Sequence, residues 1–163
     1  MGVDIRIDTP NEHENEQIAA LWHRAWHEGH DGIVPAELIA RRTAASFPDR
    51  VRTYAGQMRI AIAEARVGGL CICRGDELYQ LFVGAEWRGK GLASALMTDA
   101  EHRLLERGVD VAWLACAVGN ARAIGFYRKA GWVDVARETE RVETLGGHFE
   151  IPVLRFEKRL GVR

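Results

Sequence analysis

No stretch of this chain stays apolar for long: the longest run, Val111 to Val118, falls far short of the roughly 20 residues that a bilayer-spanning helix needs. Met1 to Asp8 alternates polar and apolar residues and has no apolar signal core, so a soluble, unexported protein with no membrane partner is expected. Cysteine is scarce and odd in number. Cys71, Cys73 and Cys116 lie in apolar, strand-like runs without Cys-x-x-Cys or Cys/His spacing, which argues against a zinc site and for buried reduced thiols, as in a cytoplasmic protein. Neither sign of charge dominates: the formal net charge is -1, and nothing in it calls for nucleic acid. Repeats, linkers and low-complexity tracts are absent, and 163 residues suit one domain, 1–163, with its own core. With 47% hydrophobic and 28% charged residues, the composition is that of an ordinary globular protein and excludes a disordered one.

Periodicity places the elements. Asp4 to Thr9 alternates as a strand, and Asn11 to His30 is helical by period, with Ile18, Leu21, Trp22, Ala25 and Trp26 on one stripe. Asp31-Gly32 breaks that helix, and Pro35 suits the first turn of a second one running to about Phe47, where Pro48 stops it. Arg59 to Ala65, Gly69 to Arg74 and Glu77 to Val83 read as a meander of three strands turning at Arg66-Val67-Gly68 and at Gly75-Asp76. Leu92, Leu96, Ala100 and Leu104 form one row of a helix that Gly108 closes. Val109 to Ala117 follows as a strand covered on both faces and parallel to the strand before the helix. Asn120 caps a short helix to Ala130, Gly131 ends it, and Trp132 to Glu143 and His148 to Leu160 form a last hairpin through Gly146-Gly147.

Between the third meander strand and the central helix lies Arg88-Gly89-Lys90-Gly91-Leu92-Ala93. Two glycines at a helix start let main-chain N–H groups approach a phosphate, which the helix N-terminus favours. Gly84 to Lys90 matches the first seven positions of a nucleotide-triphosphatase P-loop, but Gly91 stands where Ser or Thr must hold Mg²⁺. A dinucleotide turn fails as well, because Ser94 occupies its third glycine position.

Read from Arg88, the segment is Arg-x-x-Gly-x-Ala, and with Asn120, Tyr127 and Gly131-Trp132 downstream the chain resembles the GNAT superfamily of N-acetyltransferases. The matching motifs cover Glu77 to Trp132. The resemblance implies an α/β fold: a mixed, mostly antiparallel sheet of about seven strands, a splayed parallel pair in its middle, and about four helices. It also implies acetyl-CoA as acyl donor, with no metal. Its pantetheine arm would lie along Leu81, Phe82 and Val83, and its pyrophosphate on Gly89, Lys90, Gly91, Leu92, Ala93 and Ser94, with Arg88 and Lys90 adding charge. Asn120 and Tyr127 would border the same gap, since seven residues of helix return to within about 20° of one face.

Tyr127 matches the family's tyrosine that protonates the departing thiolate; packing against Phe126 is its alternative role. A general base is less marked. Some relatives carry Glu five residues before the motif Asn, where this chain has Ala115; others carry it where Glu77 stands, which reads equally as a solvated carboxylate. A main-chain N–H near Val83 would polarise the carbonyl. The implied acceptor is a small-molecule or peptide amine, near the first two helices and the last hairpin, with Trp26, His27 and His30 as candidate pocket residues. His23, His27 and His30 share a helix flank that could hold a metal or be simply polar. Glu28, Asp31 and Glu37 could attract a cationic amine or be a solvated acidic loop. The final hairpin offers an edge for a homodimer. A domain that binds acetyl-CoA without turnover is the alternative function.

Overall fold

Alternating Ile5 and Ile7 open the first strand of the computed structural model, which describes residues 2–161. Its strands are β1 (Ile5–Asp8), β2 (Met58–Ala63), β3 (Arg66–Arg74), β4 (Glu77–Val83), β5 (Val111–Ala117), β6 (Val133–Thr144) and β7 (Gly147–Arg159). Its α-helices are α1 (Asn15–His30), α2 (Ala36–Arg41), α3 (Phe47–Tyr54), α4 (Leu92–Glu106) and α5 (Ala121–Lys129). The strands form one sheet in the order β1-β2-β3-β4-β5-β7-β6, antiparallel except for β4 and β5. That parallel pair is joined in register only at Glu77 opposite Trp113 and opens beyond it.

Side-chain alternation along β3 divides the core between the two faces of the sheet. Cys71 and Cys73 meet Leu92, Leu96, Ala100 and Leu104 of α4 on one face, while Leu70 and Ile72 meet Ile18, Trp22, Phe47 and Val51 of α1 and α3 on the other. Gly68 and Gly69 sit inside β3 because α4 presses on them: a Cβ at Gly68 would stand 2.5 Å from Leu92 Cδ2, and one at Gly69 2.9 Å from Leu96 Cδ1.

Four local readings are corrected. The second helix does not run to Phe47; it ends at Arg41, Arg42 leaves helical geometry at ψ 61, and a 3-10 turn leads into α3. Pro48 falls in the first turn of α3, where its missing N–H costs no hydrogen bond, so it starts a helix instead of stopping one. The β2–β3 turn is made by Glu64 and Ala65, both at positive φ (51 and 61), and Arg66-Val67-Gly68 belongs to β3. The last hairpin turns at Leu145-Gly146, with Gly147 already in β7.

Candidate active site

Where β4 and β5 part, Leu81, Phe82 and Val83 face Ala115, Cys116 and Ala117 across a cavity of about 960 Å³. After β4 the chain makes a 3-10 turn, runs extended through Arg88, and uses Gly89 (φ 74) and Gly91 (φ 92) to enter α4. Positive φ at both positions is what demands glycine. No side chain caps α4, and Ala95 is the residue whose N–H bonds back to the Gly91 carbonyl, at 3.0 Å. The N–H groups of Leu92, Ala93 and Ser94 therefore lie in the uncapped first turn, a cradle for an anion. Arg88, Gly89, Gly91, Leu92, Ala93 and Ser94 border the cavity; Lys90 does not, its ammonium lying 5.3 Å over the Trp87 ring. Arg88 donates to Glu28 at 3.2 Å.

Asn120 and Tyr127 border the cavity from α5. Asn120 Oδ1 accepts from the Ala123 N–H at 3.3 Å, and its amide packs where a Cβ on Gly29 would stand 3.2 Å away, so α1 and α5 close on each other there. Tyr127 is 8% exposed. Burial drives its pKa above the usual phenol value, with Cys116 and Cys71 adding to the shift, so the hydroxyl stays protonated. Phe126 touches both the core and the cavity, its ring 5.6 Å from that of Tyr127. The far end of α5 is pinned to α4: Lys158 donates to Glu101 and to the Ala130 carbonyl at 2.8 Å, and Trp132 donates to Glu101 at 3.2 Å. Cys116, on the cavity wall, is pushed up to about 12 by burial and remains a thiol.

Trp26 and His30 line the other part of the cavity. His30 Nδ1 is 2.7 Å from the Trp26 carbonyl, an acceptor only, so Nδ1 carries the hydrogen and the neutral ring keeps its lone pair on Nε2. Burial, then Arg42 and Arg50, lower its pKa against the pull of that hydrogen bond. His27 lies outside the lining and donates to the Arg42 carbonyl at 2.6 Å. Glu77 also lies outside: it is 5% exposed, and its Oε1 accepts from Arg74 at 3.0 and 3.1 Å. Glu28, Asp31 and Glu37 do not border the cavity either. Among the described residues no cluster of three or more His, Cys, Asp or Glu is placed to hold a metal.

The cavity also brings in residues that the sequence reading missed, among them Arg42, Arg50, Tyr54, Tyr79 and Glu140. Arg50 and Tyr54 lie on α3, whose first turn holds Pro48, and no motif marks Glu140 within β6. Glu140 has its pKa raised by burial and by Glu77, with Arg74 opposing.

An open parallel strand pair, an uncapped glycine-turn helix start and a buried tyrosine on one cavity are features of an α/β protein able to hold a phosphate-bearing ligand. The profile of the acetyltransferase (GNAT) family matches residues 16–132, and the chain belongs to that family. Solved structures agree in fold. A GCN5-related N-acetyltransferase from Rhodopseudomonas palustris superposes with a TM-score of 0.74 at 19% identity, covering 98% of this chain and 96% of that one. The PaiA N-acetyltransferase of Thermoplasma acidophilum, in complex with coenzyme A, gives 0.71 at 18% identity, covering 96% and 99%. YncA of Salmonella typhimurium with its cofactor acetyl-CoA gives 0.72 at 13%, covering 98% and 96%. No curated protein gives a significant match by sequence. The protein is thus an acyltransferase with acetyl-CoA as its cofactor, and its residues fit that group: an uncapped helix start for the pyrophosphate and an open strand gap for the pantetheine. Among the described residues no helix is long and apolar enough to cross a membrane.

Proposed function

We propose that this protein moves acetyl from acetyl-CoA to a primary amine by direct attack within a ternary complex, with Tyr127 as the acid. The observation that carries this reading is Tyr127 itself: a neutral phenol on the cavity wall, on the same α5 face as Asn120 and across from Leu81 to Val83. When bound, acetyl-CoA supplies an activated thioester carbonyl. The main chain of Leu81, Phe82 and Val83 holds its arm, with the Val83 N–H polarising the carbonyl, and Arg88 to Ser94 hold its phosphates. Lys90 adds positive charge from just outside the cavity.

Tyr127 gives its proton to the leaving sulfur, and its raised pKa keeps that proton in place beforehand. The amine's proton passes to Nε2 of His30, directly or through water. Glu77, already held by Arg74 outside the cavity, is the weaker candidate for that step. Trp26 and His30 line the acceptor side, and His27 supports them by fixing the chain at Arg42. Direct attack is favoured over a covalent relay because Cys116, the cavity's thiol, remains protonated at neutral pH. The free, buried Cys71, Cys73 and Cys116 support a reducing, cytoplasmic setting.

The test is release of free thiol from acetyl-CoA across a panel of primary amines. Amine-dependent release is expected; tight acetyl-CoA binding with no release for any amine would leave a non-catalytic binding domain.

A further inference from the structure

Arg42 and Arg50 border the cavity at the Tyr79 end of β4, whereas the glycine-rich loop follows Val83 at the other end. Arg42 is buried and Arg50 half-buried, and neither has an anion beside it. Arg42 is 8% exposed; its Nη2 donates to the Glu143 carbonyl at 3.3 Å, and its Nε is buried with no partner. Arg50 lies with its guanidinium 4.3 Å over the Trp22 ring and 5.2 Å over Phe47, and its Nη1 is likewise buried with no partner. Burial and the charge of Arg50 bring the Arg42 pKa down to about 10, and burial lowers that of Arg50.

Three of the surrounding carboxylates are engaged elsewhere: Glu77 holds Arg74, Asp49 holds Arg52, and Glu143 is taken by Arg141. Glu140 borders the same cavity and forms no salt bridge among the described residues; its charged neighbours are Glu77 and Arg74, not Arg42 or Arg50. Among the described residues neither Arg42 nor Arg50 forms a salt bridge, and the hydroxyls near them, those of Tyr54 and Tyr79, bring no negative charge as phenols. Two partly desolvated guanidiniums within Coulombic reach of each other are unfavourable, because each charge has left water without a counter-ion. An oxyanion entering between them reverses that, and the planar guanidinium fork matches the two oxygens of a carboxylate or phosphate.

We propose that the acceptor amine carries an oxyanion, a carboxylate or a phosphate, seated on Arg42 and Arg50. The substrate class is then small amino acids or amines with a phosphate or phosphonate group, and simple alkylamines and polyamines are excluded. Both guanidiniums act on the His30 imidazole, so the acid group and the attacking amine of one small molecule fall at the same end of the cavity. The sign of this end is opposite to the one that Glu28, Asp31 and Glu37 suggested from sequence.

This inference rests on the acetyl-transfer reading for the identity of the amine, so its test has two readouts. The first is kcat/KM for thiol release with amino acids, their amides, aminoalkylphosphonates and spermidine. An acid is expected to exceed its amide by roughly 100-fold, the effect of a buried charge pair. The carboxylate and phosphonate arms identify which oxyanion is used. Arg42→Gln and Arg50→Gln should each bring acid and amide to within about 10-fold while leaving the acetyl-CoA Kd in place; Arg50→Lys, which keeps charge and bulk, should fall between.

The second readout is calorimetric binding of N-acetylated amino acids in the presence of CoA. If no amine releases thiol but these acids bind the wild type and not Arg42→Gln, the anion site stands and the acetyl-transfer reading falls. Acetylation of amides or spermidine in preference to acids, with no acid binding, overturns the inference and leaves acetyl transfer intact. An acid preference that survives in both glutamine variants overturns it too.

Discussion

His30 Nδ1 sits 2.7 Å from the carbonyl oxygen of Trp26 one helical turn back, and the two rings stack with centroids 4.4 Å apart. Packing and hydrogen bond hold the imidazole in one tautomer. Its pKa is depressed in the folded protein, so its neutral form supports the fold above the ordinary histidine pKa of about 6.5. That support is lost as pH falls from there through the folded pKa. Urea unfolding at pH 7.5 and 5.5 should therefore show a larger fall for the wild type than for His30→Gln; equal falls would remove His30 as the source.

Tyr127→Phe should lower kcat by about 100-fold or more, in the range of a lost general acid, with acetyl-CoA affinity changed only a few-fold. No hydrogen bond contributes to the state of the hydroxyl, so its removal leaves the fold stable. Because the phenol pKa is raised, loss of its proton should give no falling limb in kcat up to about pH 10. A wild-type decline near pH 9 that vanishes in the variant would contradict this assignment.

Cys116→Ala should keep turnover within a few-fold, since a thiol with a pKa of about 12 is not the acetyl carrier. Mass spectrometry of the wild type mixed with acetyl-CoA alone should find no acetylated cysteine. An acetyl adduct on Cys116 would replace direct attack with a two-step relay.

Gly68→Ala tests how closely α4 lies on the sheet. The added methyl would stand 2.5 Å from Leu92 Cδ2 and 3.0 Å from Trp87, at the start of the helix that carries the anion cradle. A loss of about 1–3 kcal/mol in denaturant unfolding is expected, with weaker acetyl-CoA binding. Unchanged values for both would mean that the helix yields freely.

Lys158→Met removes the cation that joins Glu101 to the end of α5. The two side chains retain 26% and 21% exposure, so the loss should be about 1–2 kcal/mol, below that of a fully buried pair. Turnover should fall with it, because α5 carries Tyr127. Lys158→Arg should restore part of both, and full activity in Lys158→Met would separate this network from the site.

The candidate donor half of the site is the more legible in the sequence, because its pattern is written in backbone requirements. Gly89 and Gly91 are needed where φ is positive, and Asn120 and Tyr127 fall on one face by helical period alone. The acceptor half was not, because it is assembled from residues whose meaning depends on long-range packing. Arg42 and Arg50 look like surface arginines until Trp22, Trp26 and Phe47 cover them. Pro48 added to this, since a proline at a helix start and one after a helix end read alike when the flanking turn is unknown. Glu77 is a related case: its pairing with Arg74, three residues away, and its burial are products of the fold that its place in the strand does not show.

The single registered pair between β4 and β5 makes the sheet two sheets sharing one rung, Glu77 with Trp113. Four strands lie on one side of that seam and three on the other. The line of weakest backbone cohesion thus runs through the proposed donor cleft, and a ligand that bonds to both walls would act as missing rungs. Occupancy should then be readable as mechanics: slower amide exchange along residues 81–83 and 115–117, and one sharper unfolding transition where the two halves would otherwise loosen separately.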